Sequence, residues 1–210
     1  MRIFQPTEPV SDVFYTINGP SEAKYTEKMS KFLAFAFPVS DVDEVRGCIA
    51  DVTRRYHDAR HICWAYMLGA DRLTFMSNDN GEPSGTAGKP ILGQINSFGL
   101  TDVVVVVVRY FGGIKLGTSG LISAYRQAAR DALAAADKVE RHVMKRVRFS
   151  FGYLAMNDVM KLVKQPGVNT LSQVFDNTCE MSVETRADDM PMLRARLGEI
   201  EGVSFLDLIP

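Results

Sequence analysis

Six valines in a row, Val103 to Val108, constrain this chain more than any other feature of its 210 residues. β-Branched side chains favour extended backbone, and strand side chains alternate between two faces. An unbroken apolar run therefore needs cover on both sides, so the segment from Thr101 to Arg109 is expected to be a strand in the middle of a sheet. At six residues it is too short by a factor of about three to span a bilayer. Arg109 and Tyr110 follow at once. A charge placed directly after such a strand must reach solvent at its end or pair with an acid, because an unpaired buried charge is costly.

The rest of the chain reads as alternating elements. Pro6, Pro9, Gly19 and Pro20 break up the first 25 residues, which are expected to form a loose arm or an edge strand. Lys31 to Pro38 reads as a strand. Ser40 or Asp41 caps a helix to about Tyr56, with Val42, Val45, Ile49 and Val52 on its inner face. His61 to Leu68 and Arg72 to Met76 read as two strands. From Ser77 to Lys89 the chain is polar and rich in Gly and Pro, a long loop of the kind that carries function. Pro90 suits the first turn of a helix over about 89–98. An alanine-rich helix is expected from about Leu121 to Ala136. The charged stretch Asp137 to His142 has no periodicity and is taken as the domain boundary, giving domains 1–137 and 143–210. The second domain reads strand 144–151, helix 154–164, strands 168–176 and 178–186 with a turn at Asp176-Asn177, helix 189–199, strand 202–208. That βαββαβ order is the ferredoxin-like unit, so the fold class is α+β with two domains.

Charge names no partner. Residues 1–137 carry 14 basic and 15 acidic side chains, residues 138–210 carry 10 of each, and the net charge is -1. Neither part has the basic excess of a chain held to nucleic acid mainly through phosphates, although a local basic patch is compatible with these totals. Cys48, Cys63 and Cys179 lie far apart, which argues against a disulfide framework or a zinc ribbon. No secretory signal is visible, so a cytoplasmic, non-membrane protein is expected.

The glycine-rich segment after the valines offers the clearest local chemistry. Gly112, Gly113, Gly117 and Gly120 leave backbone amides free to converge ahead of a helix N-terminus, which favours anions. Gly112-x4-Gly117-Thr118-Ser119 nearly copies a nucleotide-binding P-loop, but Thr118 stands where that motif needs its lysine, and Lys115 lies on the wrong side of the turn. A looser site for a phosphate-like anion remains, beside the bland reading of glycines serving a tight turn. Asp79, Glu82 and Lys89 sit in the polar loop. The two acids could bind a cation or act as an acid/base pair, or simply cap helices. His57 ends a helix, and His61 opens a strand beside Cys63 and Trp64, as a base or as a hydrogen-bonded imidazole. Spacing assigns no catalytic residue, metal site or cofactor.

The block Asp79-x-x-Glu82-Pro83-x-Gly85-Thr86-Ala87-Gly88-Lys89-Pro90, followed by Val107-Val108-Arg109-Tyr110-Phe111-Gly112-Gly113-x-x-Leu116-Gly117, resembles the signature of the IMPACT family, in its bacterial YigZ-like branch. Lys31-Phe32, Ala59-Arg60-His61 and Tyr125 fall where that family has matching elements. The resemblance implies an N-terminal α/β sandwich similar to a ribosomal-protein domain and to the fourth domain of elongation factor G. It also implies a C-terminal domain like the ferredoxin-like fifth domain of that factor. Eukaryotic relatives are translation regulators that bind a ribosome-associated activator of a stress kinase.

The expectation is therefore a non-catalytic regulator linked to translation, binding RNA or a ribosome-associated protein. Its cleft would be built from His61, Asp79, Glu82, Lys89, Arg109, Tyr110, Gly112, Gly113, Gly117, Thr118 and Ser119. Arg109 and Lys89 would meet phosphate or carboxylate, and Tyr110 or Phe111 would stack on a base. The alternative is a phosphate- or nucleotide-dependent enzyme using the same cleft, with Asp79 or Glu82 as base or metal ligand.

Overall fold

The computed structural model describes residues 12–176 and 178–206. They fall into two compact units, Phe14–Arg141 and, with Asp12 and Val13, the residues from His142 onward. From Val13 to His142 the chain runs β1 (Val13–Ile17), β2 (Ser21–Glu27), β3 (Ser30–Pro38), α1 (Val42–Arg55), β4 (His61–Leu68), β5 (Thr74–Asn78), α2 (Gly88–Ser97), β6 (Val103–Tyr110), α3 (Gly117–Ala134) and β7 (Lys138–His142).

The valine strand β6 is the centre of a five-stranded sheet ordered β2-β3-β6-β4-β5. It pairs antiparallel with β3 on one side and β4 on the other. All six valines have no exposed surface. Alternation divides them between two cores. Val103, Val105 and Val107 join Phe32, Cys63 and Ala65 under α2 and α3, which contribute Ile91, Ile95, Leu121 and Tyr125. Val104, Val106 and Val108 join Phe35, Ile62 and Tyr66 under Val45 and Val52 of α1. The expected two-sided burial is thus met by helices on both faces. Asp41 starts α1 by accepting from the Asp43 and Glu44 amides at 2.9 Å each, an ordinary N-cap. Ala124, Ala128 and Ala132 recur every four residues along α3 and are buried, so this stripe of methyl groups lets the helix lie close to the sheet.

Two local expectations need correction. The charged stretch after Asp137 forms β7, which pairs with β1 in a separate two-stranded sheet. Its side chains are mostly exposed, so the apolar alternation that marks a half-buried strand never arises. Within the first 25 residues, β2 is an edge strand of the five-stranded sheet, one of the two forms expected there, and β1 pairs with β7; residues 1–11 lie outside the described part. Finally, α3 begins at Gly117, four residues before the expected start at Leu121. Glycines that read as loop are its first turn, because Gly117 takes a φ of +70° at the turn into the helix, a conformation glycine adopts without a Cβ clash.

The second unit runs β8 (Met144–Phe151), a 3-10 turn (Tyr153–Ala155), α4 (Met156–Val163), β9 (Asn169–Val174), β10 (Cys179–Arg186), α5 (Met190–Gly198) and β11 (Ser204–Phe205). The order of elements is the one expected. Among the described residues the last strand comprises Ser204 and Phe205, paired to β8, with the Leu206 amide donating to the Arg148 carbonyl oxygen at 2.8 Å; Asn177 and residues 207–210 lie outside the described part. The sheet is ordered β11-β8-β10-β9. Val147, Phe149, Phe151, Met181 and Val183 form its core with Val159, Leu193 and Leu197 from the helices. On the opposite face Arg146 pairs with Glu184 at 3.4 Å and Arg148 with Glu180 at 2.8 Å. No helix among the described residues is long and apolar enough to cross a membrane.

Because β6 is covered on both faces, adjacent positions should respond alike to a buried hydroxyl. Val105→Thr and Val106→Thr are each expected to cost about 1–3 kcal/mol in urea unfolding. A near-neutral result at either one would mean that its face is open to water.

Candidate functional site

The alternation that buries the valines also decides where Arg109 points. It continues the Val103, Val105, Val107 series and faces the α2/α3 side, with only 6% of its surface exposed. It does not reach solvent and instead pairs with an acid. Arg109 Nη1 donates to Glu82 Oε1 at 2.7 Å, with the two side chains 7% and 3% exposed. The Tyr125 hydroxyl donates to the same oxygen at 2.9 Å. Cys63 extends the group, its Sγ lying 3.3 Å from the Tyr125 hydroxyl and 2.9 Å from the Asp79 carbonyl oxygen, to which the thiol donates. Burial pushes the Cys63 thiol up to about 12. The Tyr125 hydroxyl is also raised, by burial and then by Cys63 and Glu82. Neither is a ready nucleophile or base at neutral pH.

Aromatic rings complete the setting. The Arg109 guanidinium lies over the Phe32 ring at 5.7 Å and over the Phe111 ring at 5.6 Å, so π-faces take part of the role of water around the charge. Phe32 meets Tyr125 edge-on at 5.1 Å. The Arg109 Nε is buried without a hydrogen-bond partner.

Above this group opens a cleft of about 410 Å³. Its walls are Arg60-His61, Glu82-Pro83, Arg109 with Phe111, and the start of α3. Lys115, Gly117, Thr118 and Leu121 line the α3 side. Leu116 precedes the helix without a side-chain cap, and the first turn holds no acid. The N-terminal amides of an 18-residue helix and its dipole thus stand beside Lys115 and Arg60 with no acid in that turn, the Glu82 carboxylate of the cleft being paired to Arg109, which suits an anion. His61 Nδ1 lies 3.0 Å from the Asn80 carbonyl oxygen. A carbonyl can only accept, so Nδ1 is the donor in this bond.

The residues expected to form one cleft do not all meet there. His61, Glu82, Arg109, Gly117 and Thr118 line it; Ser119 is exposed in the same helical turn. Asp79 is committed elsewhere. Its carboxylate accepts from the amides of Gly85 at 2.8 Å, Ala87 at 2.9 Å and Gly88 at 2.8 Å, closing the polar loop onto the start of α2. Burial alone would raise its pKa, but the three amides and Lys89 outweigh that and hold the carboxyl below the ordinary range. Lys89 lies in a separate depression with Gln94 and Arg126. Tyr110 is one residue past Arg109, so it faces the α1 side, where its hydroxyl donates to Asp58 at 2.7 Å and is pushed up to about 12. Gly112 is a packing residue. A Cβ there would stand 2.1 Å from the Met29 carbonyl carbon, and its amide donates to Ser30 Oγ at 3.2 Å, so this amide is not offered to a ligand. Gly113, with φ +88°, continues the turn. Among the described residues no three His, Cys, Asp or Glu side chains converge to hold a metal ion.

Arg60, Cys63, Lys115 and Leu121 belong to the site although sequence reasoning left them out of the cleft. One signal was readable: Gly117, Leu121 and Tyr125 are spaced by four and so share one stripe of a helix.

Residues 28–133 match the family model described as the Impact N-terminal domain, and every cleft residue falls inside that match. The chain is 37% identical over 153 residues to an IMPACT family member of Haemophilus influenzae, covering 70% of this chain and 73% of that protein. It is 36% identical over 140 residues to IMPACT family member YvyE of Bacillus subtilis, covering 67% and 64%. A crystal structure described as that of a hypothetical protein superposes with a TM-score of 0.74 at 26% identity, over 94% of this chain and 98% of that one.

Two predictions test the network. Glu82→Gln leaves the Arg109 charge buried without its partner and is expected to lower stability by about 3–5 kcal/mol in chemical denaturation. Asp79, with its folded-state pKa lowered, contributes stability fully above the unfolded value of about 4 and loses it as pH falls through the folded value. Asp79→Asn should therefore be less stable at neutral pH, with a shallower loss of stability on acidification below about pH 4. An unchanged acid profile would contradict the role of Asp79.

Proposed function

This chain belongs to the IMPACT family, and on that premise we propose that it is a non-catalytic regulator linked to translation, binding RNA or a ribosome-associated protein through the cleft of its first unit. The observation that carries this reading is the pairing of a rigid, closed floor with an open, cationic rim. The floor is the Arg109–Glu82–Tyr125 group. The rim is Arg60, Lys115 and the uncapped start of α3. The two acids an enzyme would need as base or metal ligand are occupied: Glu82 by Arg109 and Tyr125, Asp79 by three backbone amides. Cys63, with its thiol pushed up to about 12, does not replace them. Such a site binds and orients an anionic group.

The fold assignment belongs to the same proposal. We assign the first unit to the fold shared by a ribosomal-protein domain and the fourth domain of elongation factor G. The second is assigned to the ferredoxin-like fold, on its βαββαβ order and its β11-β8-β10-β9 sheet. Three free thiols suit a reducing cytoplasm.

The test is co-sedimentation with purified ribosomes at low and moderate salt. Wild type is expected to pellet at low salt and to be released as salt rises. Arg60→Ala and Lys115→Ala, both exposed rim positions, should weaken pelleting, while Lys89→Ala, outside the cleft, should not. A wild type that stays in the supernatant at low salt overturns the reading.

A further inference from the structure

We propose that the anionic ligand is single-stranded RNA, and that it runs around the end of β6 through two basic depressions that meet at Phe111; this rests on the functional reading above and names its ligand. The first depression is the cleft already described. The second, about 570 Å³, is lined by Lys24, Met29, Lys31, Leu33 and Tyr110, with Phe111 common to both. Register places them on opposite faces of the sheet. Arg109 pairs with Phe32 and lies on the α2/α3 side, and Tyr110 pairs with Lys31 and lies on the α1 side. Phe111 is the first residue past the strand, where the two faces join.

Charge and ring geometry select the occupant. Arg60 and Lys115 stand on one side of Phe111, and Lys24 and Lys31 on the other. Among the described residues lining the two depressions the acid is Glu82, buried and paired to Arg109; Asp58, exposed beside the second, accepts from the Tyr110 hydroxyl. A chain with net charge -1 therefore keeps a local cationic band here. Within it the Phe111 ring is 56% exposed, and it is held by the Arg109 guanidinium at 5.6 Å. An exposed ring flanked by cation pairs matches the phosphate–base–phosphate repeat of a single strand, which binds through backbone charge and stacking. A duplex is far too stiff to turn around a strand end, whereas an unpaired backbone turns freely. The Tyr110 hydroxyl is bonded to Asp58, which fixes that ring as part of the wall.

The experiment is fluorescence anisotropy of the full chain with a labelled oligouridylate of about ten nucleotides, over a range of salt. Wild type is expected to bind it, and to bind a duplex RNA of the same length more weakly. Phe111→Leu should weaken binding about ten-fold or more. Lys115→Ala and the Lys24→Ala/Lys31→Ala pair should each flatten the salt dependence, by about 0.7 in log–log slope for every phosphate left without its lysine. Lys89→Ala should bind as wild type does. All these positions are exposed, and circular dichroism of each variant checks that the fold is kept. Failure of wild type to bind the oligouridylate overturns the inference, as does wild-type behaviour of the Lys24/Lys31 pair. If RNA binding is absent while ribosome pelleting persists and still depends on Arg60 and Lys115, a protein partner is the ligand, and only the RNA inference falls. If both are absent, both fall.

Discussion

A guanidinium buried at the end of a hydrophobic strand is the constraint around which the first unit is arranged. Arg109 follows six valines on the same strand, and alternation turns it inward beneath α2 and α3. An arginine so placed cannot shed its charge, so the fold must supply a partner. Glu82 does this from the far side of the polar loop, Tyr125 steadies the same carboxylate oxygen from α3, and the rings of Phe32 and Phe111 lie against the guanidinium. Four segments remote in sequence thereby converge on one charge. A buried ion pair adds little net stability, because desolvation offsets most of the attraction. Its consequence is geometric: once Glu82 is bound to Arg109, the polar loop and the start of α3 are held on opposite sides of one cleft.

Asp79 shows the same logic in a more exposed setting. Its carboxylate gathers the amides of Gly85, Ala87 and Gly88, replacing the side-chain cap that Ala87 cannot provide for α2. The polar loop is thus tied at two points, by Asp79 to a helix start and by Glu82 to the central strand. An acid with three amide donors already bound has little capacity left for a metal or a substrate proton. The loop is thereby braced against both the α2 start and the central strand.

Much of the architecture was legible in the sequence because it follows from local rules. The valine run demanded a two-sided strand, and α1 and β6 supply and need that cover in the way the apolar spacing implied. The βαββαβ order of the second unit followed from periodicity and turn residues. What escaped was structure that periodicity does not mark. β7 carries charged, exposed side chains in a two-stranded sheet and so has no apolar face to betray it. The first turn of α3 is written in glycine, threonine and serine, which read as loop by propensity.

The sequence by itself determined that Arg109 would be buried with an acid or escape at the strand end, that a glycine turn would lead into a helix, and that the chain would fold as α+β. These follow from side-chain chemistry and from repeats of two and four residues. Tertiary structure alone decided that Glu82 is the partner, that Asp79 is spent on backbone amides, and that Lys89 lies in a different depression. It also parted Arg109 from Tyr110, one residue apart in the chain and on opposite faces of the sheet. The physical reason is that these outcomes depend on strand register and loop closure between segments tens of residues apart. No local window of sequence carries that information.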